Sequence, residues 1–567
     1  MYKYLIYITL LFCCSCGKKI KNNNTGNAGS CGIFADNAMV VSAHPEATKA
    51  GINILEQGGN AVDAAIAVQY ALAVVYPVAG NIGGGGFMVI RLNNGSVNTL
   101  DFREKAPVKA YKEMYLDSCG EVIEGASMDS GLAVGVPGTV DGMIEAHKKY
   151  GNLSMDKLIM PSINLARTGF PVTQNQADRF NAMHDVFVKK NPGRSYLLKD
   201  EKWEKGDTLC QPDLAKTLDL IRQHGKDGFY KGITAENFIN EVKNTGGIIT
   251  HKDLEQYRSE WRQPVAFNYK EYKIFSMPPP SSGGTVLFLM MKMAETFPVN
   301  TMQHNSVEYI HLLAEIERRA FADRASHLGD CDFYPVPSEQ LLDSSYAVSR
   351  MVNFDPGKAT DSDMILAGDF ADNESMETTH FSVVDSEGNA VAVTTTINAA
   401  YGTKIFVTGS GFLLNNEMDD FSIKPGHPNM FGLTGGEANA VEPEKRMLSS
   451  MTPTIIEKNN KLFMVTGSPG GSTIITSVFQ TILNVIEFDM SMQEAVSKGR
   501  FHHQWKPDII TLEDAFFSYR TIKELQNMGH KTEEINSIGR VNAILIHDNG
   551  KIEGGADPRR DNTAIGF

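Results

Sequence analysis

Residues 377–398, ETTHFSVVDSEGNAVAVTTTIN, constrain this chain most strongly, because they place a threonine at the entrance to two short apolar runs. Residues 381–384 and 390–397 are rich in β-branched and apolar side chains, and the DSEGN stretch between them favours a turn. The pattern predicts a β-hairpin with Thr378 held at its open end. If the bond before Thr378 were cleaved, its hydroxyl and new α-amino group would supply a nucleophile and a base on one residue. A polar residue that simply begins a strand is the alternative.

Length and composition set broad limits. A chain of 567 residues with 42% hydrophobic content can bury a large core, and no linker or fixed-period repeat divides it. The chain has a formal charge of −14 and a pI near 5.5, and its basic residues are scattered along the sequence. We therefore expect no nucleic-acid partner.

The N-terminus has the pattern of an export signal. Residues 4–14 are mostly apolar, too few to span a bilayer, and a polar GKKIKNNN stretch follows shortly after. Cys16 resembles the acceptor cysteine of a bacterial lipoprotein signal more closely than Cys14 does. We predict a lipoprotein signal peptide at residues 1–15 and a flexible tether at 16–34. The protein would then be exported and held by a lipid anchor, either in the periplasm or at the cell surface.

Metal-binding patterns are missing from the sequence. The thiols that would remain after processing are widely spaced and form no CxxC pair, which excludes a cysteine zinc knuckle and leaves disulfides open. They are Cys31, Cys119, Cys210 and Cys331. No HExxH or metal-binding His/Asp cluster occurs, and we interpret His502 and His503 as packing beside Trp505. We predict no metal and no cofactor.

Periodicity and capping signals place several further elements. The predicted helices are 44–57, 61–76, 306–328 and 472–486. The predicted strands are 86–92, 96–102, 461–466 and 541–547. Runs of helices and runs of antiparallel strands, without βαβα alternation, predict an α+β fold.

Short polar and glycine clusters follow one another along the chain. They are GGNAVDAA (58–65), NIGGGGFM (81–88), DFRE (101–104), GVPGT (135–139), MPPPSSGG (277–284), ADR with LGD (322–330), TTH (378–380), TTTIN (394–398), NNEMDDF (415–421), MLSSM (447–451), GSPGG (467–471) and RFHHQW (500–505). In this order they resemble the γ-glutamyltranspeptidase family, from about residue 35 to the C-terminus. One such motif would be weak evidence for a family, but twelve motifs in the family's order make the resemblance specific.

The resemblance implies a fold and a maturation step. The fold is that of the N-terminal nucleophile (Ntn) hydrolases, a four-layer αββα sandwich. Self-cleavage between Glu377 and Thr378 would give a large subunit (35–377) and a small subunit (378–567) that stay together as a heterodimer. The Thr378 hydroxyl would then cleave glutathione and other γ-glutamyl amides through an ester, and pass the γ-glutamyl group to water, amino acids or peptides.

The resemblance also assigns residues that bind the amino-acid end of the substrate. That end carries an α-carboxylate and an α-ammonium, so its site needs a cation and an anion. Arg103 matches the residue that holds the carboxylate, for which a planar guanidinium is suited. Glu417 and Asp420, assisted by Asn398, match the residues that hold the ammonium. A strand-end arginine and an acidic loop facing water are the alternatives.

Further matches concern the reacting group and the carboxylate. Gly470 and Gly471 match glycines whose N–H groups form the oxyanion hole, where a side chain would block the approach of the substrate. Thr396 matches a threonine that hydrogen-bonds the Thr378 hydroxyl. Two serines match residues that touch the carboxylate, although turn serines are equally compatible with the sequence. These are Ser449 and Ser450.

Three other functions stay open. S-x-x-K at Ser154–Lys157 has the spacing of a penicillin-recognising enzyme, but SDN and KTG are missing and Ser154 fits a helix cap. A lipoprotein that binds peptides without chemistry would not need Thr378. Related hydrolases of the fold act on poly-γ-glutamate or acylated β-lactams, whereas residues 424–436, which correspond to a lid, favour small γ-glutamyl compounds.

The lid departs from one branch of the family. Bacterial relatives often carry there a tyrosine whose hydroxyl bonds to the asparagine matched by Asn398, and this chain has Phe431. Loss of one hydrogen bond, worth about 0.5–1.5 kcal/mol, should leave the lid open more often and admit water to the acyl-enzyme.

We therefore predict that Phe431→Tyr raises the ratio of transfer to hydrolysis at a fixed acceptor concentration. Both products of one γ-glutamyl donor should be measured with and without a dipeptide acceptor. An unchanged or lower ratio in the tyrosine variant would contradict this role of the lid.

Overall fold

Two antiparallel sheets, packed face to face, organise the chain. The computed structural model describes residues 32–192, 195–365, 378–424, 430 and 437–567. Four positions with predicted roles lie outside the described residues: Cys16, Cys31, Glu377 and Phe431. Residues Gly32–Phe567 form one compact unit.

Short strands form the two large sheets and two smaller ones, of three and of two strands. Within the described residues they are β1 (Ile33–Ala35), β2 (Met39–Ser42), β3 (Gly85–Arg91), β4 (Val97–Asp101), β5 (Phe170–Pro171), β6 (Thr208–Leu209), β7 (Glu260–Arg262), β8 (Val265–Tyr269), β9 (Tyr272–Ser276), β10 (Thr379–Val384), β11 (Ala390–Thr396), β12 (Thr454–Lys458), β13 (Lys461–Thr466), β14 (Phe501–His502), β15 (Ile510–Glu513), β16 (Thr532–Ile535), β17 (Asn542–Ile546), β18 (Ile552–Ala556) and β19 (Thr563–Gly566).

Helices lie between these strands in the sequence. Those in the described residues are α1 (Pro45–Glu56), α2 (Ala61–Val75), α3 (Thr139–Tyr150), α4 (Met155–Thr168), α5 (Gln174–Lys190), α6 (Pro212–His224), α7 (Asp227–Tyr230), α8 (Gly232–Asn244), α9 (His251–Gln256), α10 (Gly283–Ala294), α11 (Val307–His327), α12 (Ser338–Leu341), α13 (Ser344–Ser349), α14 (Ser472–Ile486), α15 (Met492–Ser497) and α16 (Tyr519–Asn527).

Each large sheet mixes strands from both sides of Thr378. The first has the order β1-β18-β17-β13-β12-β9-β8, and the second has the order β19-β2-β10-β11-β3-β4-β7. Neighbouring strands in both sheets run antiparallel. The two halves of the chain are therefore interleaved.

Alternating side chains along the strands define the layers, because successive residues of a strand face opposite sides of the sheet. In β11, Val391 and Val393 face a core that contains α1, α2 and α4, whereas Ala390 and Ala392 face the other sheet. On the far side of that sheet, a separate core joins its outer face to α10, α11 and α14. The order of layers is helix, sheet, sheet, helix, which confirms the predicted αββα sandwich.

The hairpin that begins near Thr378 is built by its turn. Asp385 accepts hydrogen bonds from the backbone N–H groups of Glu387 and Asn389, and from the N–H of Ala61 at the start of α2 (2.9 Å). The turn is thereby attached to the helical layer. At the opposite end, the last pair in the register is Thr379 with Thr395, so the register continued by one residue sets Thr378 across from Thr396.

Predicted and observed elements agree closely. The strand at 461–466 and the helix at 472–486 have the predicted bounds, and the other predicted ends differ by at most one residue, except that β10 begins two residues earlier. Ser154 occupies the N-cap position of α4, as predicted, although its side chain makes no capping hydrogen bond.

Two further observations concern membrane spans and thiols. Among the described helices, none is both long and apolar enough to cross a membrane. The described cysteines carry free thiols at Cys119, Cys210 and Cys331.

Candidate active site

A narrow cavity of about 10 Å³ lies at the open end of the hairpin, where the two large sheets meet α14. It is lined by seven residues that the sequence analysis had selected, together with Met451 and Ile474. The seven are Arg103, Thr378, Thr396, Asp420, Ser449, Ser450 and Gly471. Residues from across the whole sequence thus converge on one threonine.

Thr378 itself is 3% exposed. Across from it, the Thr396 hydroxyl accepts a hydrogen bond from the N–H of Asn398 (2.8 Å). Asn398 has a φ of 63°, a region that asparagine tolerates better than most residues, and its side chain donates to the carbonyl of Asn416 (2.9 Å). Asn398 therefore joins the end of the hairpin to the acidic NNEMDDF segment, without lining the cavity.

Glycines allow the backbone to come close to the threonine pair. A Cβ on Gly84 would lie 2.0 Å from the carbonyl oxygen of Thr396. Gly470 and Gly471 have φ values of 125° and 62°, and Gly471 is the N-cap of α14. Gly471 lines the cavity and Gly470 does not, so the N-terminus of α14 borders the cavity at Gly471. The positive end of a helix stabilises nearby negative charge.

Arg103 is the buried centre of the charged wall, with 1% of its surface exposed. Its guanidinium has five N–H groups, and five acceptors receive them. They are the Met447 carbonyl (3.3 Å), the Leu448 carbonyl (3.2 Å), the Glu417 carboxylate (2.6 Å), the Glu104 carboxylate (3.4 Å) and the Asp420 carboxylate. The predicted cation and the two predicted anions thus form one ion cluster.

Burial dominates the electrostatics of this cluster. Burial raises the pKa of Glu417 to about 7, although the charge of Arg103 acts in the opposite direction. Burial, followed by the charge of Glu417, also raises the pKa of Glu104 well above its usual range. For Arg103, burial opposes the charged form, but the neighbouring carboxylates outweigh it and raise its pKa.

Ser449 and Ser450 lie on a segment that the MPPPSSGG loop holds in place. The carbonyl of Ser449 accepts bonds from both the N–H (2.7 Å) and the hydroxyl (2.8 Å) of Ser282. The hydroxyl of Ser450 accepts a bond from Arg324 (2.9 Å), which also donates to the Ser282 hydroxyl (2.8 Å). Both serines are thus fixed from behind the cavity.

Several residues of the site were not given a role by the sequence analysis. Glu104 and Arg324 lie in the DFRE and ADR motifs, which served only for the resemblance. Asn439 lies in none of the motifs; its side chain donates to the carbonyl of Asp420 (2.6 Å) and accepts from the N–H of Leu448 (3.0 Å). Contacts between such distant segments leave no local pattern in a sequence.

Buried histidines support the site without lining the cavity. Burial lowers the pKa of His380 to about 3, and its ring is hydrogen-bonded to Thr394 (2.9 Å). His502 is bonded to the hydroxyl of Ser472, the first residue of α14 (3.0 Å), and the Nδ1 atom of His503 accepts from the N–H of Trp505 (3.0 Å). Both histidines are buried and hydrogen-bonded, and their predicted packing beside the Trp505 side chain stays a prediction.

Two groups of described side chains have the composition of a metal site. In one, Asp330, Cys331 and Asp332, the last carboxylate is already paired with Arg262. The other consists of His311, Glu315 and His530. The two carboxylate oxygens of Glu315 already accept bonds from Arg318, Arg319 and Thr360. Two guanidiniums beside the carboxylate oppose a bound dication. We interpret the group as an ion-pair cluster and assign no metal to it.

The αββα sandwich, with a threonine at the open end of its central hairpin and the N-terminus of α14 in the same cavity, is the fold of an Ntn hydrolase. The sequence profile described as Gamma-glutamyltranspeptidase matches residues 47–567. The chain is 46% identical over 538 residues to the glutathione hydrolase proenzyme of Escherichia coli (strain K12), across 94% of this chain and 93% of that protein. The chain belongs to the γ-glutamyltranspeptidase family.

Solved structures agree with this assignment. The cephalosporin acylase from Bacillus halodurans has a TM-score of 0.81 at 25% identity and covers 97% of this chain and 99% of its own. The γ-glutamyltranspeptidase of Helicobacter pylori has a TM-score of 0.57 at 44% identity and covers 60% of this chain and 97% of its own. The likeness to the acylase extends over more of the fold, whereas the transpeptidase is more similar in sequence.

The acidic segment generates a prediction about pH. Burial raises the pKa of Asp419 to about 7, although the Ser127 hydroxyl donates to its carboxylate (2.5 Å). The folded protein then keeps a proton that the unfolded chain loses near pH 4, so stability is lost as the pH rises towards 7. We expect Asp419→Asn to reduce the fall in the free energy of unfolding between pH 5 and pH 7 by about 2 kcal/mol.

Urea unfolding at pH 5, 6 and 7 measures this effect. Ser127→Ala serves as the opposite test, because losing the donor should raise the pKa of Asp419 further and extend the loss of stability to higher pH. Identical pH profiles for the wild type and Asp419→Asn would show that this carboxyl is ionised in the folded protein throughout the range.

Proposed function

We propose that the protein is a self-processing γ-glutamyl hydrolase and transferase that acts on glutathione and related γ-glutamyl amides through an ester on Thr378. The observation that carries this proposal is the cavity itself. Its lining supports the proposal, because it contains Thr378, the N-cap glycine of α14, Arg103, Asp420 and two serines. Such a wall suits a substrate that ends in both a carboxylate and an ammonium.

Maturation uses the Thr378 hydroxyl first. The hydroxyl attacks the carbonyl carbon of Glu377, the peptide C–N bond breaks, and an ester replaces it while the α-amino group of Thr378 takes up the proton. Water then hydrolyses the ester. The products are a carboxylate on Glu377 and a threonine with both a free hydroxyl and a free α-amino group.

Turnover repeats the same chemistry on a substrate. The α-amino group of Thr378 accepts the hydroxyl proton as the oxygen attacks the γ-glutamyl carbonyl, and the N–H groups of Gly470 and Gly471 receive the oxyanion. The proton passes to the leaving amine, and the γ-glutamyl ester remains. Water or the amine of an amino acid or peptide then attacks the ester and restores the threonine.

The interleaved sheets support the proposal that both pieces stay together after cleavage. In the second sheet, β10 and β11 of the smaller piece pair with β2 and β3 of the larger piece. In the first sheet, β12 of the smaller piece pairs with β9 of the larger one. Separation would break these strand pairs and expose the cores that they cover.

The first test concerns self-cleavage. Wild-type protein should migrate in denaturing electrophoresis as two bands, and N-terminal sequencing of the smaller one should begin at Thr378. Thr378→Ala should remain one chain without activity. Thr378→Ser keeps a hydroxyl but loses the methyl group that limits its rotamers, so it should cut and turn over slowly. An active wild-type protein consisting of one uncut chain would refute the mechanism.

The second test concerns Arg103. Arg103→Ala leaves Glu417 and Asp420 buried without their shared partner, and it should weaken use of γ-glutamyl donors by about 3 kcal/mol or more. Arg103→Lys restores a charge but not the planar guanidinium that can bind two oxygens at once, so it should recover only part of the loss. The measurement is kcat/KM with a γ-glutamyl anilide. Self-cleavage should survive in both variants because no substrate is bound then, and near-normal kinetics of Arg103→Ala would refute the assignment.

An acylase acting on acylated β-lactams is the second candidate, favoured by the likeness to the cephalosporin acylase structure. The charged wall around Arg103 fits an amino-acid end group better than an uncharged acyl chain. Comparing a γ-glutamyl amide with an acyl amide that lacks the α-amino group separates the two activities.

We also propose that the protein is exported and lipid-anchored at Cys16, as the sequence of its first residues predicts.

A further inference from the structure

We propose that Arg540 and Arg560 bind the carboxylate of the leaving amine, and that the protein therefore prefers donors such as glutathione, in which that amine is a peptide. This inference rests on the proposed γ-glutamyl activity and assigns the side of the site opposite to the amino-acid end of the substrate. The same two groups receive the carboxylate of an amino-acid or peptide acceptor, because transfer reverses ester formation with a different amine.

The strand order of the second sheet sets Arg103 and Arg560 on opposite sides of Thr378. Thr378 directly precedes β10, which lies between β11 and β2. Arg103 follows β4, on the β11 side, whereas Arg560 precedes β19, on the β2 side. Because neighbouring strands run antiparallel, the end of β4, the start of β10 and the start of β19 lie at one end of the sheet. Arg103 and Arg560 therefore flank the nucleophile.

The first sheet repeats this arrangement with Arg540. There, β13 ends just before the GSPGG motif and lies between β12 and β17. The serine segment 449–450 precedes β12, whereas Arg540 precedes β17 by two residues. The N–H of Arg540 donates to the hydroxyl of Ser468, within the GSPGG motif (3.0 Å). Both sheets thus place the groups matched to the amino-acid end on one side and an arginine on the other.

Asn542 joins the two arginine segments to the nucleophile. Its side-chain amide donates to the carbonyl of His380, two residues after the catalytic threonine (2.9 Å), and to the side-chain oxygen of Asn562 (3.1 Å). Arg540 and Arg560 each lie two residues before one of these bonded asparagines. The two arginines therefore come from segments that meet beside the start of β10.

The spacing suits a dipeptide. Two strand spacings separate β19 from β10, which amounts to about 10 Å. The two residues that follow the reacting amide in glutathione span about 7 Å when extended. With the amino-acid end of the substrate at Arg103, the leaving peptide extends towards the opposite side, and the long side chain of Arg560 covers the remaining distance.

Neither guanidinium is paired with a carboxylate among the residues that the structure describes. Arg540 is nevertheless only 7% exposed. Arg559, next in sequence, is paired with Asp557 (3.1 Å), and Asp561 accepts a bond from the hydroxyl of the N-cap threonine of α5 (2.8 Å). A buried charge without a partner costs free energy, so this place favours an anion.

Two further arginines act on Arg560. Burial lowers the pKa of Arg560 to about 10, and the charges of Arg540 and Arg179 act in the same direction, whereas Tyr76 opposes them. Arg560 therefore stays cationic at neutral pH. A carboxylate placed among like charges relieves their repulsion, and a guanidinium can bind both of its oxygens, whereas a neutral amide gains neither advantage.

Two donors that differ only in this carboxylate test the proposal, namely glutathione and its C-terminal amide. Wild-type protein should use glutathione with a kcat/KM roughly 10-fold or more above that of the amide, the size of a charge-assisted hydrogen bond. Arg540→Gln and Arg560→Gln should each lower this ratio towards one, chiefly by raising the KM of glutathione. Arg560→Lys keeps the charge and should retain part of the preference.

Arg520→Gln is the matched control, because it removes one positive charge from the exposed helix α16, where Arg520 is bonded to Glu524 (2.7 Å). It should leave the ratio between the two donors at the wild-type value. A wild-type ratio near one, or an undiminished ratio in both Arg540→Gln and Arg560→Gln, would overturn the proposal.

The wild-type protein alone keeps the proposal testable if the glutamine variants do not mature. A dipeptide acceptor should then show a lower KM in transfer than the same dipeptide with an amidated C-terminus, and equal KM values would count against the proposal. Failure of the proposed function looks different, because wild-type protein would then release the amine from neither donor.

Discussion

The pairing register between β10 and β11 is the constraint on which the site depends. Both faces of this hairpin are buried: Val391 and Val393 face the helical layer, and Ala390 and Ala392 face the second sheet. A slip of one residue would force valines into the space of alanines and leave cavities on the other face. The position of the Thr378 hydroxyl is thereby set by the packing of the core.

The charged wall of the cavity has a different energetic character. Burying guanidiniums and carboxylates together costs solvation that their attraction only partly offsets, so the cluster contributes little net stability. Its value is geometric: Arg103 connects the DFRE segment to the acidic segment and to the backbone of Met447 and Leu448. Arg324 connects α11 to the serine segment in the same way. A polar substrate thus meets groups that are already oriented.

Prediction from the sequence succeeded where local chemistry decides the outcome. The turn residues of the hairpin and the apolar runs of α2 and α14 gave element bounds accurate to one or two residues. Motif order pointed to most residues of the site. It did not show that Arg103 bonds the two acids expected to hold the ammonium, or that Arg324 supports Ser450, because such contacts join segments more than a hundred residues apart.

The sequence alone determined the kind of secondary structure, the threonine at the head of a hairpin and the family, since these depend on residue types and spacing within short segments. Only the tertiary structure decided which side chains face the cavity, which donors are already occupied and which carboxyls have a raised pKa. Hydrogen bonds and burial depend on atoms brought together from distant parts of the chain, and on the water that is excluded when the two sheets and their helical layers pack.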